Sequence, residues 1–537
     1  MKAIKYFLLL SMLIGATLHS MAYDFKVNTL CYNITSDTTV AVTYEQESMP
    51  RYASLSGDVT IPEEISYNNQ TYRVTEIGEL SFFSCGKIQS VTIPNSVVKI
   101  GSRAFSSCSS LTNITLPNRL KLISYMMLYN CRRLSSITIP ESVTQISSSA
   151  FEGCATIQKV DIPMGVTSIG QKAFYNSGII EVTLPVANVG EEAFSCYHID
   201  KVSIIGTAER NKKITFGRDA FYKQPYHSII SSVNITDLEG WCRINFESYY
   251  SNPATTSKAL YLNGELLENA IIPNTVVSIN SYAFYNMQCL KSVYIPESVK
   301  KIGIDAFTYC DQLNSVTTES LEAWCNILFD GARYSNPLYY ASNLYLDNVL
   351  LEELAIPASV TEIHPYAFIN FTGLKKLTIN DNTTHIQDCA FEGCSNLRTA
   401  TLGKQVRYIG TDAFKGCKGL EDLYIPRERP AVINEKGSFE DVVYENCTLY
   451  VPIGCERLYW VANNWDHFVN IVEYDFGNTG SKYGDLNGDN EVNAGDVSEL
   501  YSAILQGVTD SAYDLNGDGE VNAGDTSILY QMVLGNE

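Results

Sequence analysis

Between Val91 and Pro117 the chain reads VTIPNSVVKIGSRAFSSCSSLTNITLP, and the four residues that open this stretch return in kind at its end. Val91-Thr92-Ile93-Pro94 becomes Ile114-Thr115-Leu116-Pro117, and the step recurs at Ile139-Pro140, Ile162-Pro163 and Leu184-Pro185, at intervals of 23, 23, 23 and 22 residues. The frame returns at Ile272-Pro273, Ile295-Pro296, Ile356-Pro357 and Ile425-Pro426, with Ile379-Asn380 and Leu402-Gly403 in phase. Self-similarity at such a period is the mark of a solenoid. Alternation sets the faces: Val91 and Ile93, Ile114 and Leu116, Ile137 and Ile139 point inward, with Thr92, Thr115 and Thr138 between them pointing out. One coil cannot bury its apolar face alone, so the coils stack and pair their strands into a long parallel sheet. Proline has no N–H to give, and it ends each strand.

Two further slots keep the period. An Ala-Phe pair recurs at Ala104-Phe105, Ala150-Phe151, Ala173-Phe174, Ala306-Phe307 and Ala413-Phe414. Cys85, Cys108, Cys131 and Cys154 are spaced by 23, as are Cys394 and Cys417, and Cys310 fills the same slot. Fifteen cysteines in an exported chain would suggest disulfides, but a cysteine fixed in a repeat reads as a column of buried thiols that pack as small apolar groups. Cys447 and Cys455 are the pair most disposed to oxidise.

The chain has 537 residues, 45% of them hydrophobic and 18% charged, which places it among globular proteins. Its 38 basic and 59 acidic residues give a net charge of −21, which excludes a nucleic-acid partner held through its phosphates. From Gly484 to Glu537 there are 11 acidic and no basic residues, so this tail is a separate unit. Met1 to Ala22, with Lys2, Lys5, an apolar run from Tyr6 to Ile14 and Ser20-Met21-Ala22, reads as a cleaved secretory signal too short to span a bilayer. No later stretch reads as a transmembrane span. The mature protein is expected to begin near Tyr23 and to be secreted or associated with the cell surface.

From about Thr75 to Pro426 these residues resemble the BspA-like bacterial leucine-rich repeats, whose unit reads close to I-x-I-P-x-S-V-x-x-I-G-x-x-A-F-x-x-C-x-x-L. The resemblance implies a leucine-rich-repeat solenoid: a parallel β-sheet with short helical or irregular returns and repeats of about 23 residues. Ser56 to Pro62 resembles the family's N-terminal cap, and Cys447 to Glu473, with Trp465 and Phe468, its closing cap. The expected layout is a signal over 1–22, an N-terminal β cap over 23–75, the solenoid over 76–430, a C-terminal cap over 431–475, a linker over 476–483 and a final domain over 484–537. A longer duplication, offset by 83 to 84 residues, repeats Asp237 to Cys242 as Glu319 to Cys325, and Tyr250-Ser251-Asn252-Pro253 as Tyr334-Ser335-Asn336-Pro337. It predicts two similar insertions, about 237–270 and 319–354, leaving the solenoid on one side, with Trp241 and Trp324 as packing anchors.

In the tail, Asp485, Asn487, Asp489, Glu491, Asn493 and Asp496 occupy positions 1, 3, 5, 7, 9 and 12 of a loop, the spacing that wraps oxygen ligands around calcium. Asp514, Asn516, Asp518, Glu520, Asn522 and Asp525 repeat it 29 residues later, with Gly519 at the sixth position and Asn490 in its place in the first copy. Glu491 and Glu520 would ligate through their carbonyls, and Asp496 and Asp525 would close the loops with both carboxylate oxygens. One amphipathic helix is predicted after each loop, with Val497, Leu500, Tyr501, Ile504 and Leu505 in the first and Leu529, Tyr530, Val533 and Leu534 matching them in the second. This arrangement resembles a type I dockerin, a small all-α domain holding two Ca2+. That resemblance implies docking to a cohesin module through loop positions 10 and 11 and nearby helix residues, here Ala494, Gly495 and Tyr501, then Ala523, Gly524 and Tyr530. Because both copies carry the same residues, either could present the same face. The two carboxylate clusters should also need calcium to fold.

No catalytic constellation is present: there is no G-x-S-x-G, Walker loop, H-E-x-x-H or C-x-x-C, and the five histidines of the mature chain are scattered. The chain reads as a non-enzymatic binding or adhesion protein. Its candidate face is the row Thr92, Thr115, Thr138, Asp161, Thr183 and Ser203, continued by Tyr294, Thr317, Thr378, Thr401 and Tyr424. The family resemblance implies adhesion to host matrix or cell-surface proteins. The alternative, suggested by 35 tyrosines suited to sugar stacking, is a substrate-targeting subunit of a polysaccharide-degrading complex.

Overall fold

The computed structural model of the chain describes residues 22–45, 52, 54–207, 212–222, 229–331, 333–434, 437–477, 482–489, 491–510 and 512–534. The expected secretory signal lies outside these residues except for Ala22, as do residues 478–481 of the expected linker over 476–483. The chain forms two compact units. One comprises Met1–Gly240, Ile244–Ser257 and Tyr261–Gly264, and the other Trp241–Arg243, Lys258–Leu260 and Glu265–Glu537.

The first unit opens with antiparallel strands, Phe25–Val27, Leu30–Ile34 and Thr39–Thr43. The Tyr52 hydroxyl accepts from Cys31 N–H at 2.8 Å and donates to the Thr43 carbonyl, tying the second and third together. Strand Gln70–Ile77 makes the handover: it pairs antiparallel with Glu64–Tyr67 but parallel with Thr39–Thr43 and Lys99–Ile100. From there the coils of this unit pair in parallel. One ladder joins Lys159–Asp161, Glu181–Pro185, His198–Ile205 and Ile229–Ile235, with Val160, Val182, Val202 and Val233 in register. A second, of two- and three-residue strands, runs from Leu122–Ile123 to Ile244–Phe246.

The second unit repeats the plan. Asn269–Ile271, Ser292–Ile295, Ser315–Thr318 and Leu344–Leu346 form one parallel ladder, ended by an antiparallel turn back into Val349–Leu350. A fresh ladder starts at Glu353–Ala355 and runs through Lys376–Thr378, Thr399–Thr401, Asp422–Tyr424 and Thr448–Pro452 to Asn470–Tyr474.

Two columns fill the coils. Phe151, Phe174, Phe194 and Phe221 stack nearly parallel with ring centroids 4.9 to 5.2 Å apart, and Phe368, Phe391, Phe414 and Phe439 do the same at 5.2 to 5.3 Å. The spacing is set by the strand-to-strand rise, which offsets the rings enough to avoid a face-to-face sandwich. Beside them run the cysteines, 15 thiols with no disulfide among the described residues, all buried but the half-buried Cys289. The slot is more than apolar filling: Cys108 Sγ donates to the Phe82 carbonyl at 3.1 Å, Cys131 to Phe105 at 3.1 Å, and Cys394 and Cys417 to Phe368 and Phe391 at 3.3 Å. Each of these thiols thus reaches back to the preceding coil.

Two expectations are corrected. Cys447 and Cys455 are both free and buried, in separate environments: Cys447 Sγ donates to the Thr448 carbonyl at 3.6 Å, while Cys455 opens the helix Glu456–Val461. The segment 319–354 does not leave the solenoid. Helix α1 (Leu321–Cys325) leads into Leu328–Phe329, which joins the short ladder beside Lys301–Ile302, and Leu344–Leu346 joins the long one. The reason is burial: Trp324, Cys325, Leu338 and Leu344 are all inside, and a projecting lobe would have left them in water. Trp324 is the anchor expected of it, with its indole N–H donating to the Ala367 carbonyl at 2.9 Å, and Trp241 donates to Ala283 at 2.8 Å in the same way.

Candidate functional site

The tail folds as loop, helix α2 (Ala494–Gln506), loop and helix α3 (Ala523–Leu534). Val492, Val497, Leu500, Leu515, Leu529 and Met532 form its core, together with Leu458 from the helix Glu456–Val461 at the end of the repeats.

The two loops share most of their hydrogen bonds. Asp485 Oδ1 accepts from Gly488 N–H at 2.8 Å, and Asp514 Oδ1 from Gly517 N–H at 2.7 Å. Asn487 Oδ1 and Asn516 Oδ1 accept from the amides of Asp489 and Asp518. Asp489 Oδ1 and Asp518 Oδ1 accept from Glu491 and Glu520 N–H, each at 2.8 Å. The Glu491 and Glu520 side chains are exposed, each accepting from the Asn493 or Asn522 side-chain amide at 3.4 Å. Gly488 and Gly517 hold φ of 78° and 77°, where the chain turns back on itself. Asn490 falls outside the described residues.

Asp496 and Asp525 are fully buried, at 0% exposure. Asp496 Oδ1 accepts from the amides of Leu486 and Asn487, and its Oδ2 from Asn493. Asp525 spans its loop the same way, between Asn516 and Asn522. Each therefore sits at the third helical position and draws the start of its loop onto the helix start, where a carboxylate also meets the positive end of the helix dipole. Asn493 caps α2, its Oδ1 accepting from Gly495 N–H at 2.7 Å, and Asn522 does likewise for Gly524. Among the described residues, no group of three or more His, Cys, Asp or Glu side chains is placed to hold a metal ion. The loops instead interleave carboxylates with Asn amides, and such hard oxygen donors around a tight turn fit calcium.

The residues expected to meet a partner fall into two kinds. Tyr501 and Tyr530 stand out from their helices, 46% and 44% exposed. Gly495 and Gly524 have a structural reason to be glycine, since a Cβ there would lie 2.8 Å and 2.5 Å from the Asn487 and Asn516 amides. Ala494 and Ala523 are exposed at the helix starts. The helical stripe differs from expectation: Val497, Leu500 and Leu529 face the core, while Leu505 and Leu534 are 86% and 66% exposed. Leu505 and Leu534 stand four residues after Tyr501 and Tyr530, on the same outer face, so each helix presents a Tyr-Leu pair. The 29-residue offset that relates the loops also relates these pairs and is the signal that finds them.

On the repeats, Thr92, Thr115, Thr138, Asp161 and Thr378 are exposed, and Thr183, Tyr294, Thr317, Thr401 and Tyr424 are half-buried. Ser203 is buried, a correction to the expected row: its strand is flanked in register by Thr183 and Asn234 on either side. At the end of the second unit the row becomes aromatic. Tyr424 stacks on Tyr450 at 4.3 Å, and Tyr474 and Phe476 meet them edge-on.

The family described as BspA type leucine rich repeat region matches residues 75–199, 123–248, 255–345 and 339–450, with six copies, and the chain belongs to that family. Residues 483–534 match the Dockerin type I domain, so the chain is a leucine-rich-repeat protein that carries a C-terminal dockerin. Twenty-eight solved chains are similar to it. They include a leucine-rich repeat protein from Bacteroides ovatus, 24% identical over 77% of this chain and 99% of that one with a TM-score of 0.45, and a leucine rich cell surface protein from Faecalibacterium prausnitzii, 24% identical over 75% and 94% with a TM-score of 0.32. The pneumococcal vaccine antigen PcpA is 14% identical over 84% and 99%, with a TM-score of 0.29. No curated protein matches the chain. Both families are in general non-catalytic binding modules, typically of bacterial surfaces and extracellular assemblies, and no described helix is long and apolar enough to cross a membrane.

Proposed function

We propose that this is a secreted, non-catalytic binding protein whose repeats engage a protein ligand and whose dockerin, folded around two calcium ions, docks it to a cohesin-bearing partner. The observation that carries this reading is the duplicated tail: two loops that share most of their hydrogen bonds, each followed by a helix with an exposed Tyr-Leu pair at the same offset. Asp485, Asn487, Asp489, Asn493 and Asp496, with the Glu491 carbonyl, would hold one ion, and Asp514, Asn516, Asp518, Asn522 and Asp525, with the Glu520 carbonyl, the other. Tyr501 with Leu505, and Tyr530 with Leu534, would form the partner face around Ala494 and Ala523. The matching pairs support docking in either of two orientations.

A second reading, that the protein directs a polysaccharide-degrading complex to its substrate, is favoured by the aromatic cluster of Tyr424, Tyr450, Tyr474 and Phe476, whose flat faces suit sugar rings.

Calcium titration of the full chain by calorimetry should give two bound ions, and the Asp496→Ala, Asp525→Ala double variant none. Immobilised purified cohesin modules should then retain the chain in calcium and release it to chelator. Calcium binding without retention on any module would leave the tail a calcium-stabilised domain only and would sink the docking reading. Retention on matrix proteins against insoluble polysaccharides, with Tyr450→Ala as control, separates the two ligands.

A further inference from the structure

The dockerin does not hang free of the last coils. Besides Leu458 in its core, it receives one arginine from the turn between Asp422–Tyr424 and Val432–Ile433. Arg429 Nε donates to the Tyr483 hydroxyl at 3.0 Å, and that hydroxyl donates to the Leu515 carbonyl at 2.7 Å, inside the second loop. The guanidinium then reaches the loop itself: Nη2 stands 3.8 Å from Asp514 Oδ1, and a Cβ on Gly517 would collide with Nη1. Only glycine at the loop's fourth position admits the arginine. The pair is partly shielded, with the two side chains 30% and 13% exposed.

Asp514 is the first ligand position of the second loop. A fixed positive charge beside that carboxylate opposes a divalent cation there and draws on the same oxygen. We propose that Arg429 is a built-in competitor of calcium at the second loop, so that the repeats set the affinity of one of the dockerin's two sites. The coupling is reciprocal: whatever affinity the arginine costs calcium, calcium costs the arginine's hold on the loop. This inference rests on the calcium reading above and adds to it that a residue of the repeats acts on the second site.

The test is calcium titration of the full chain, resolving both binding steps, in wild type, Arg429→Gln, Arg429→Lys and Tyr483→Phe. Arg429→Gln should tighten one step on the order of tenfold, as one coupled site allows, and leave the other in place. Arg429→Lys keeps the charge and should stay near wild type, whereas Tyr483→Phe, which frees the guanidinium from its anchor, should tighten the same step by a smaller factor. If Arg429→Gln fails to fold by circular dichroism, Tyr483→Phe decides alone. An unchanged step, a weakened one, or equal tightening of both would overturn the proposal while leaving the calcium reading intact. No calcium binding in any variant would overturn both.

Discussion

At the scale of single residues the cysteine slot is decided by a hydrogen bond as much as by size. Cys154 Sγ donates to the Leu128 carbonyl at 3.2 Å where the neighbouring coils offer a Phe carbonyl, so the contact follows the backbone and survives the change of side chain. Burial pushes the Cys154 thiol up from its ordinary value of 9.0 to about 12, and Cys108 and Cys131 well above 9.0, because a thiolate there would be stripped of water. The signs follow: with the folded thiol's pKa raised, its contribution to stability is complete below about pH 9 and is lost as the pH climbs toward 12, since only the unfolded chain releases the proton in that window. Stability measured by denaturant should therefore be flat in this respect up to about pH 9 and fall steadily above it. Alkylation of the native protein at about pH 8, where a free thiol in water already reacts, should leave Cys108, Cys131 and Cys154 unmodified by mass spectrometry. Rapid labelling of any of them would show that the column opens.

At the scale of elements, the tryptophans do what the repeat slots cannot. Trp241 and Trp324 each sit in a short helix and donate to the carbonyl of an Ala-Phe pair 42 and 43 residues on, and Trp465 makes the same kind of bond to Ala431 at 2.7 Å. Trp324→Phe keeps most of the apolar bulk and removes the donor, leaving a buried carbonyl with one bond fewer. It should cost about 1–3 kcal/mol, read from the midpoint of urea unfolding. The 23-residue coil was legible because strand, Pro, Ala-Phe and Cys each recur in a fixed slot. The calcium-type loops were legible because carboxylates and amides alternate at set positions twice over. The duplicated segment breaks the period and so reads as a projection, although its apolar residues are needed inside. The stripe sets Leu505 and Leu534 beside Leu500 and Leu529, and a narrow helical stripe does not tell which edge faces inward. Arg429 carried no signal at all: its role depends on which loop the last coils meet.

At the scale of the molecule, two kinds of stability are joined at one place. The coils hold one another through neighbours, a sum of local terms that calcium does not enter. The dockerin has a small core and two clusters of like charge, and an ion that binds only its folded form stabilises it in proportion to the logarithm of its concentration over Kd. Leu458 belongs to both, buried at 6% in the dockerin core while its helix packs on the last strands. Calcium should therefore raise protection of the Glu456–Val461 amides against hydrogen exchange along with those of α2 and α3. Asn269–Ile271 and Ser292–Ile295, several coils away in the same unit, should be unchanged. Exchange measured by mass spectrometry on the full chain, with calcium and with chelator, reads both at once. Leu458→Ala should confine the gain to α2 and α3, because it removes the side chain that carries it across. Protection spreading through the whole ladder would mean that the coils are coupled more tightly than stacking neighbours require, and the dockerin would then report on the state of the repeats as well as holding them in place.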